Sequence, residues 1–559
     1  MPHPPRFRPT EPQRAQEPVN ARAVPAPAAR ITLSGDSYPV NSQRQRHRPQ
    51  PAGRALVSRL GRGGASRQSA RRAARTAHHF ISGLTPLNRL LYACCRITNR
   101  GTRLIAKRGS VFLSPPRTAA RGIYVVIFCL LVGFAPKVAA QTETAPPYAH
   151  LGVTACAGST CHGAASRTKT SGVLQNEYLT WQRYDKHAGA YTALQGALGE
   201  RIAANLGIGP AEKAQICLDC HSDNVAPELR GVQFHLSDGV GCEVCHGGSG
   251  KWLGPHASGL TQHNLLVQDF GLYPTDHPTE RAELCLSCHQ GDDKRFISHN
   301  IMGAGHPRLS FELQTYTQIQ PAHFVIDDKY RARKEVAKGV QVWAVGQAVA
   351  LERLVTELAE PRHQGEGAFP ELVFFDCQAC HHTTTKLRWQ RRESTGLGPG
   401  LPHFNDANAV MLRAISVRVA PDLGHSLEAS IRALHQALSE GAGNPAAIAE
   451  TIAGQARTLR DRFSAYDFTR TDMRAMIVAL AQTSQTSDVS DYAAAEQATM
   501  AFASIIYSLN VDGALPPAQY TALRAALEKC YTATAIQDAY DPRAFAAAAL
   551  SVEKAALAW

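Results

Sequence analysis

Four short runs, CLDCH (217–221), CEVCH (242–246), CLSCH (285–289) and CQACH (377–381), carry the clearest chemistry in this chain of 559 residues. In each, two cysteines stand three apart and a histidine follows the second: Cys217/Cys220/His221, Cys242/Cys245/His246, Cys285/Cys288/His289 and Cys377/Cys380/His381. This is the pattern of covalent haem c attachment, in which two thiols form thioethers to the porphyrin vinyl groups and the adjacent imidazole reaches the iron. Roughly 0.01–0.02 such pentapeptides would arise by chance at this composition, so four are not accidental. A Cys₄ zinc site has no use for a histidine after every second cysteine. A disulfide across a two-residue loop is a tight closure and again leaves the histidines unexplained. A thioredoxin-like redox motif would occur once.

A fifth pair is irregular. In VTACAGSTCHG (153–163) the spacing between Cys156 and Cys161 is widened by two residues, yet His162 keeps its place behind the second cysteine. Alone this could be a disulfide beside an irrelevant histidine. As the first of a series, it reads as a stretched attachment motif whose extra residues, Gly158 among them, loop outward. The chain therefore offers five haem c sites, four regular and one stretched. Ten of the 14 cysteines fall in these pairs. Cys94, Cys95 and Cys129 lie near the N-terminus, and Cys530 is expected as a small buried hydrophobe in a helix.

Each haem iron has a second axial position. Methionine is scarce after residue 140, and Met411, Met473, Met476 and Met500 fall in helical patterns where packing is the expected role. Histidine is plentiful, so bis-histidine ligation is expected. His187 (WQRYDKHAGAY) is flanked by aromatics, His256 (KWLGPHASG) follows the glycines of CEVCHGGSG, and His299 and His306 bracket a turn in ISHNIMGAGHPRL. These glycines are expected to let backbone approach a macrocycle closely. His323 (QPAHF) joins the ligand set as a weaker candidate, ahead of His382, His403, His235, His263 and His150. His425 and His435 lie on a helical pattern and read as surface residues.

The order DGVGCEVCHGGSG, KWLGPH, LCLSCHQGD, HNIMGAGHPRLSFEL, FFDCQACHH resembles the multihaem cytochromes related to hydroxylamine oxidoreductase and cytochrome c-554, over about residues 150–400. The resemblance implies closely packed haems on a scaffold of helices and long loops, mostly bis-histidine irons, and distal roles for His187, His256, His299 and His306. Members of that group either carry electrons or use one five-coordinate haem on small nitrogen or sulfur compounds. No CxxCK motif is present.

The formal charge of +13 does not imply a nucleic-acid partner. Residues 1–140 hold 24 Lys+Arg against Glu11, Glu17 and Asp36, which leaves 35 basic and 43 acidic residues beyond them. The basic segment has no sustained apolar period and reads as disordered or as a spurious extension (1–121). GIYVVIFCLLVGFA with Val138-Ala139-Ala140 reads as the core and cleavage region of a signal peptide (122–140), too short to span a bilayer. Translation from a codon displayed as Leu104 or Val111 would give that leader an ordinary basic start. Export to the periplasm follows.

The fold expected is mainly α: a multihaem cytochrome c domain (141–400) of helices and long loops around a haem array, then a C-terminal helical bundle (401–559). A long helix is expected from about Lys329 to Glu360, ended by Pro361. After the joint STGLGPGLP, one helix carries Leu427, Ile431, Leu434 and Leu438 and stops at Gly441. Asn444 and Pro445 open the next as N-cap and first residue, with Ile448, Ile452, Leu459 and Phe463 on its face. Further helices are expected at 471–482, 490–509, 517–531 and 542–559. The leading function is periplasmic electron transfer between redox proteins with basic docking surfaces. The alternatives are a multihaem oxidoreductase with one open iron, marked by a motif histidine without a partner, and a zinc-binding module.

Overall fold

A computed structural model describes residues 148–559, apart from 169–172, 335, 364–369, 383–390, 399 and 442. The basic extension and the expected leader lie outside the described residues. Among the described residues the chain is helical, and extended pairing is limited to two isolated bridges, His150 with Arg230 and Phe375 with Phe404. No helix there is long and apolar enough to cross a membrane.

The first part consists of short helices joined by long loops. Its principal helices are α1 (Glu177–Tyr184), α2 (Ala197–Leu206), α3 (Gln215–His221), α4 (Cys242–His246) and α5 (Pro278–His289). The apolar cluster formed by α2, α3 and their neighbours contains only Leu194, Ala203, Ala211 and Leu218. Such a core is small for so much ordered chain. That matches a region whose apolar surface is completed by porphyrin.

The second part is a bundle around a large continuous core. It comprises α6 (Gly339–Ala359), α7 (Ala407–Val419), α8 (Pro421–Glu440), α9 (Pro445–Ala465), α10 (Arg470–Thr483), α11 (Tyr492–Val511), α12 (Pro517–Ala533) and α13 (Pro542–Leu557). The central α6 is buried on nearly every face and packs along α9, α7 and α11. It precedes the Gly/Pro-rich joint, so the bundle takes in a helix from before residue 400. It starts ten residues later than the sequence pattern suggests, because the stretch before Val340 is charged; only Asp328–Arg331 makes a separate turn there.

Local signals place the bundle helices. Asn444 accepts from the backbone N–H groups of Ala446 and Ala447, and Pro445 opens α9, whose Ile452, Leu459 and Phe463 are fully buried. Gly441 ends α8 in the left-handed conformation, φ 66°. Leu427, Ile431 and Leu434 face inward, and truncating any of these to alanine should cost about 2–5 kcal/mol. Cys530 is buried, as expected.

His435 corrects the sequence reading. It is 1% exposed, its Nδ1 donating to the Ile431 carbonyl one turn back. It shares the buried stripe of α8 because Leu434 and Ile431 flank it.

A reciprocal capping box starts α10. Thr469 Oγ1 accepts from Asp472 N, and Asp472 Oδ2 accepts from Thr469 N at 3.1 Å. Burial pushes the Asp472 carboxyl up, but hydrogen bonds from Thr469, Tyr466 and Arg418 outweigh it and hold it below its ordinary value. The resulting stabilisation is complete above the unfolded carboxylate range near pH 4 and is lost as pH falls through the lower folded value. Asp472→Ala should lower stability by about 1–2 kcal/mol at pH 7 and by less near pH 3, read by helical circular dichroism during denaturant unfolding.

Candidate metal centres

One helical turn explains the CxxCH spacing. Residues three and four apart lie on one face of a helix, so both thiols and the following imidazole point the same way. The second, third and fourth motifs each end a helix at the histidine, in α3, α4 and α5. The fifth lies on a 3₁₀ turn, Cys377–Ala379, capped by Asp376 through Gln378 N. There His381 N donates to Cys377 O at 2.7 Å, closing the same turn.

The stretched motif reaches the same closure by another route. Cys161 N and Gly163 N both donate to Gly158 O at 2.9 Å, and His162 N donates to Cys156 O at 3.2 Å. The two additional residues are looped out, and the backbone link between first cysteine and histidine is restored. Gly163 has no room for a side chain: a Cβ would lie 1.9 Å from Ala157 O. Gly248 lies against Tyr148, where a Cβ would come within 2.2 Å of the Tyr148 carbonyl, so its smallness serves backbone packing.

The imidazoles come together in pairs. Ring centroids are 6.0 Å apart for His162 and His256, 6.1 Å for His187 and His289, 6.4 Å for His246 and His323, and 6.1 Å for His299 and His381. His306 lies within electrostatic reach of His221. Two imidazoles bound through Nε2 to one metal at about 2 Å each would have centroids about 6 Å apart. Four motif histidines, His162, His246, His289 and His381, thus lie against His256, His323, His187 and His299 at a spacing that an iron between the rings would fit, and His306 neighbours the remaining one, His221.

Hydrogen bonds fix several of these rings with Nε2 left for a metal. Nδ1 of His162 donates to Glu177 Oε2 at 3.0 Å, and that of His187 to Asp185 Oδ1 at 2.9 Å. Nδ1 of His221 and His306 donate to the carbonyls of Ala190 and Pro307 at 2.9 and 2.8 Å. Such partners set tautomer and ring orientation. Burial lowers His246 and His289 to about 4, which keeps them neutral with a lone pair to give. Phe311 stacks on His289 at 4.6 Å, and Trp252 meets His256 edge-on at 5.8 Å.

Other histidines have different occupations. His150 Nδ1 is 2.7 Å from Asp223, and Glu243 beside them accepts from the N–H groups of Leu151, Gly152 and Ser249, which makes this cluster a backbone clasp. His263 lies 3.9 Å from Asp276, and His403 sits beside His435 in the bundle.

The motifs also touch one another. The Cys156 and Cys242 thiols lie close enough to act on each other, which draws Cys156 down and pushes Cys242 up. Cys220 and Cys288 form a second such pair, in which the bond from Cys220 lowers Cys288 to about 6. Cys245 is within electrostatic reach of Cys285 and Cys288. The short helix His299–Gly303 and the following turn carry both His299, facing the fifth motif, and His306, near the second.

Sequence reasoning missed Glu177 and Asp185; only the acid two residues before His187 hinted at either. It also missed the bundle's grip on the fifth motif. Gln378 accepts from Tyr492 N at 3.1 Å and donates to Gln537 O at 3.3 Å, while Arg308 pairs with Glu496 at 2.7 Å. These contacts span far too much sequence to leave a local signal.

Repeated thiol pairs, each with an imidazole facing a second imidazole, define a multihaem c-type cytochrome that carries haem c. Residues 155–247 match the family model for cytochrome c554 and c-prime, so that domain lies over the first three motifs. Among curated proteins the chain is similar to the C-type polyheme cytochrome OmcC of Geobacter sulfurreducens, 34% identical over 117 residues. The match covers 18% of this chain and 13% of that protein, so the chain spans only a small part of its relative's length. No solved structure matches.

Gly163→Ala should break the looped-out closure of the first motif. Intact mass of the matured variant should show one covalent haem fewer than the parent, with the rest retained.

Proposed function

We propose that this chain is an exported electron-transfer protein in which five motifs each hold one haem c between two histidines. Haem c supplies a one-electron iron couple. The residues of the chain would do the rest: the cysteine pairs would anchor the groups, and His162/His256, His221/His306, His246/His323, His289/His187 and His381/His299 would hold the irons. The observation that carries this reading is that each motif histidine has a second histidine as a neighbour, at about 6 Å between ring centroids in four of the five. A catalytic site on a small inorganic compound needs an open position, and on this reading none of the five would leave one.

Contacts between motifs support an order of transfer. The first motif touches the third through Cys156 and Cys242, the third neighbours the fourth, the fourth touches the second through Cys288 and Cys220, and the His299–His306 segment joins the second to the fifth. The two ends of this series carry the exposed cysteines, Cys161 and Cys380, while the other motif cysteines are half-buried. Exposed ends suit entry and exit of electrons. The acidic excess beyond residue 140 favours basic redox partners, with haem propionates adding to it. The leader-like segment at 122–140 supports a periplasmic location, where thioether attachment and the partners would be found.

The test uses protein matured in a periplasm. Intact mass should show five haems and an N-terminus near Gln141, and the resting protein should be wholly low-spin and inert to carbon monoxide. His323→Ala should open one site, giving a high-spin, carbon monoxide-binding fraction of about one-fifth of the haem. Carbon monoxide binding by the parent would sink the closed-site reading.

A further inference from the structure

The partners of the ligand imidazoles are not alike. His162 and His187 donate from Nδ1 to carboxylates, whereas His221 and His306 donate to backbone carbonyls. A carboxylate acceptor draws the Nδ1 proton more strongly than a neutral carbonyl and makes Nε2 the more basic donor. A more basic axial ligand favours the oxidised metal, so hydrogen bonding of this kind is one of the protein's means of setting potential.

Both carboxylates are held in place. Glu177 Oε1 accepts from Leu174 N at 3.0 Å and Gln175 N at 3.1 Å, leaving Oε2 for His162. Asp185 Oδ1 accepts from both His187 N and Nδ1, while Oδ2 accepts from Gln320 Nε2 at 3.0 Å. The side chains are 16% and 6% exposed, so water screens their charge little. Glu177 opens α1 and Asp185 ends it, so a single helix carries an anion to each of two different sites.

We propose that Glu177 and Asp185 are positioning residues that make the His162/His256 and His187/His289 sites the lowest-potential haems of the array. The inference rests on the bis-histidine reading above. The site of the second motif, whose two imidazoles are both carbonyl-backed, lies higher. An electron passing from the fourth motif to the second therefore moves downhill in energy, which gives the series a direction toward the fifth motif.

Redox titration of the haem-loaded protein, followed in the α-band, tests this. Glu177→Gln and Asp185→Asn should each raise the midpoint of one component, about one-fifth of the amplitude, and leave the others in place. Unchanged midpoints in low-spin variants with full haem content overturn the proposal. Should a variant mature with a haem missing, titration of the parent decides: two components below the other three support it, and a single unresolved wave overturns it. The two readings fail separately, since carbon monoxide binding by the parent removes the ligand assignment, whereas unmoved midpoints in a ligand-inert protein remove only this one.

Discussion

The approach of one imidazole to another from a distant segment is the feature around which the cytochrome part is arranged. Each motif histidine neighbours a histidine from another segment: His256, His306 and His323 follow their motifs in the chain, whereas His187 and His299 precede theirs. A metal shared by such a pair would close a loop that otherwise costs conformational entropy without a core to bury. This is how a region with so small an apolar cluster of its own can specify one arrangement of its backbone.

The bundle solves the opposite problem by ordinary means. Its core is one cluster that reaches from Ala282 and Leu286 of α5 to Ala556, and it offers a wall to which the fifth motif is fastened. Arg392, 1% exposed, lies between Asp406 and Asp491 at the foot of that wall, with Asp376 close by. Removing one member of such a buried pair costs about 3–5 kcal/mol, because the remaining charge is stranded. With Tyr492, Gln537 and Glu496 gripping the same corner, the fifth site is built from both parts of the protein, and the bundle is more than a cover.

The motif turns and the bundle helices were legible because each obeys a short-range rule: a helical turn, a cap, a 3.6-residue stripe. His323 stood out less than His187 or His256 since QPAHF has no flanking glycine or tryptophan, and its approach to His246 depends on where a loop returns. His435 was misread because a histidine in an amphipathic stripe looks polar by residue type, whereas the Ile431 carbonyl satisfies its ring inside the core. Glu177 and the bundle residues at the fifth motif had no local mark, as their partners are fixed only by tertiary packing. The boundary near residue 400 followed a change in composition, but packing assigns α6 to the bundle because its apolar residues surround the whole helix and need cover on every side.

The stretched motif shows which part of the attachment pattern is physical. Cysteine spacing is the feature by which the motif is recognised, yet two residues can be added to it. What the first and fifth motifs share is the link from the histidine N–H to the carbonyl of the first cysteine, 3.2 Å in one and 2.7 Å in the other. In α3, α4 and α5 the same link is the ordinary bond of a helical turn. That closure puts the imidazole beside the first thiol whatever lies between the cysteines, provided the excess can leave the turn. Gly158 accepts two of the loop's hydrogen bonds and Gly163 lets the chain pass Ala157, so the excess leaves as a self-bonded loop and His162 stands 6.0 Å from His256 like its counterparts.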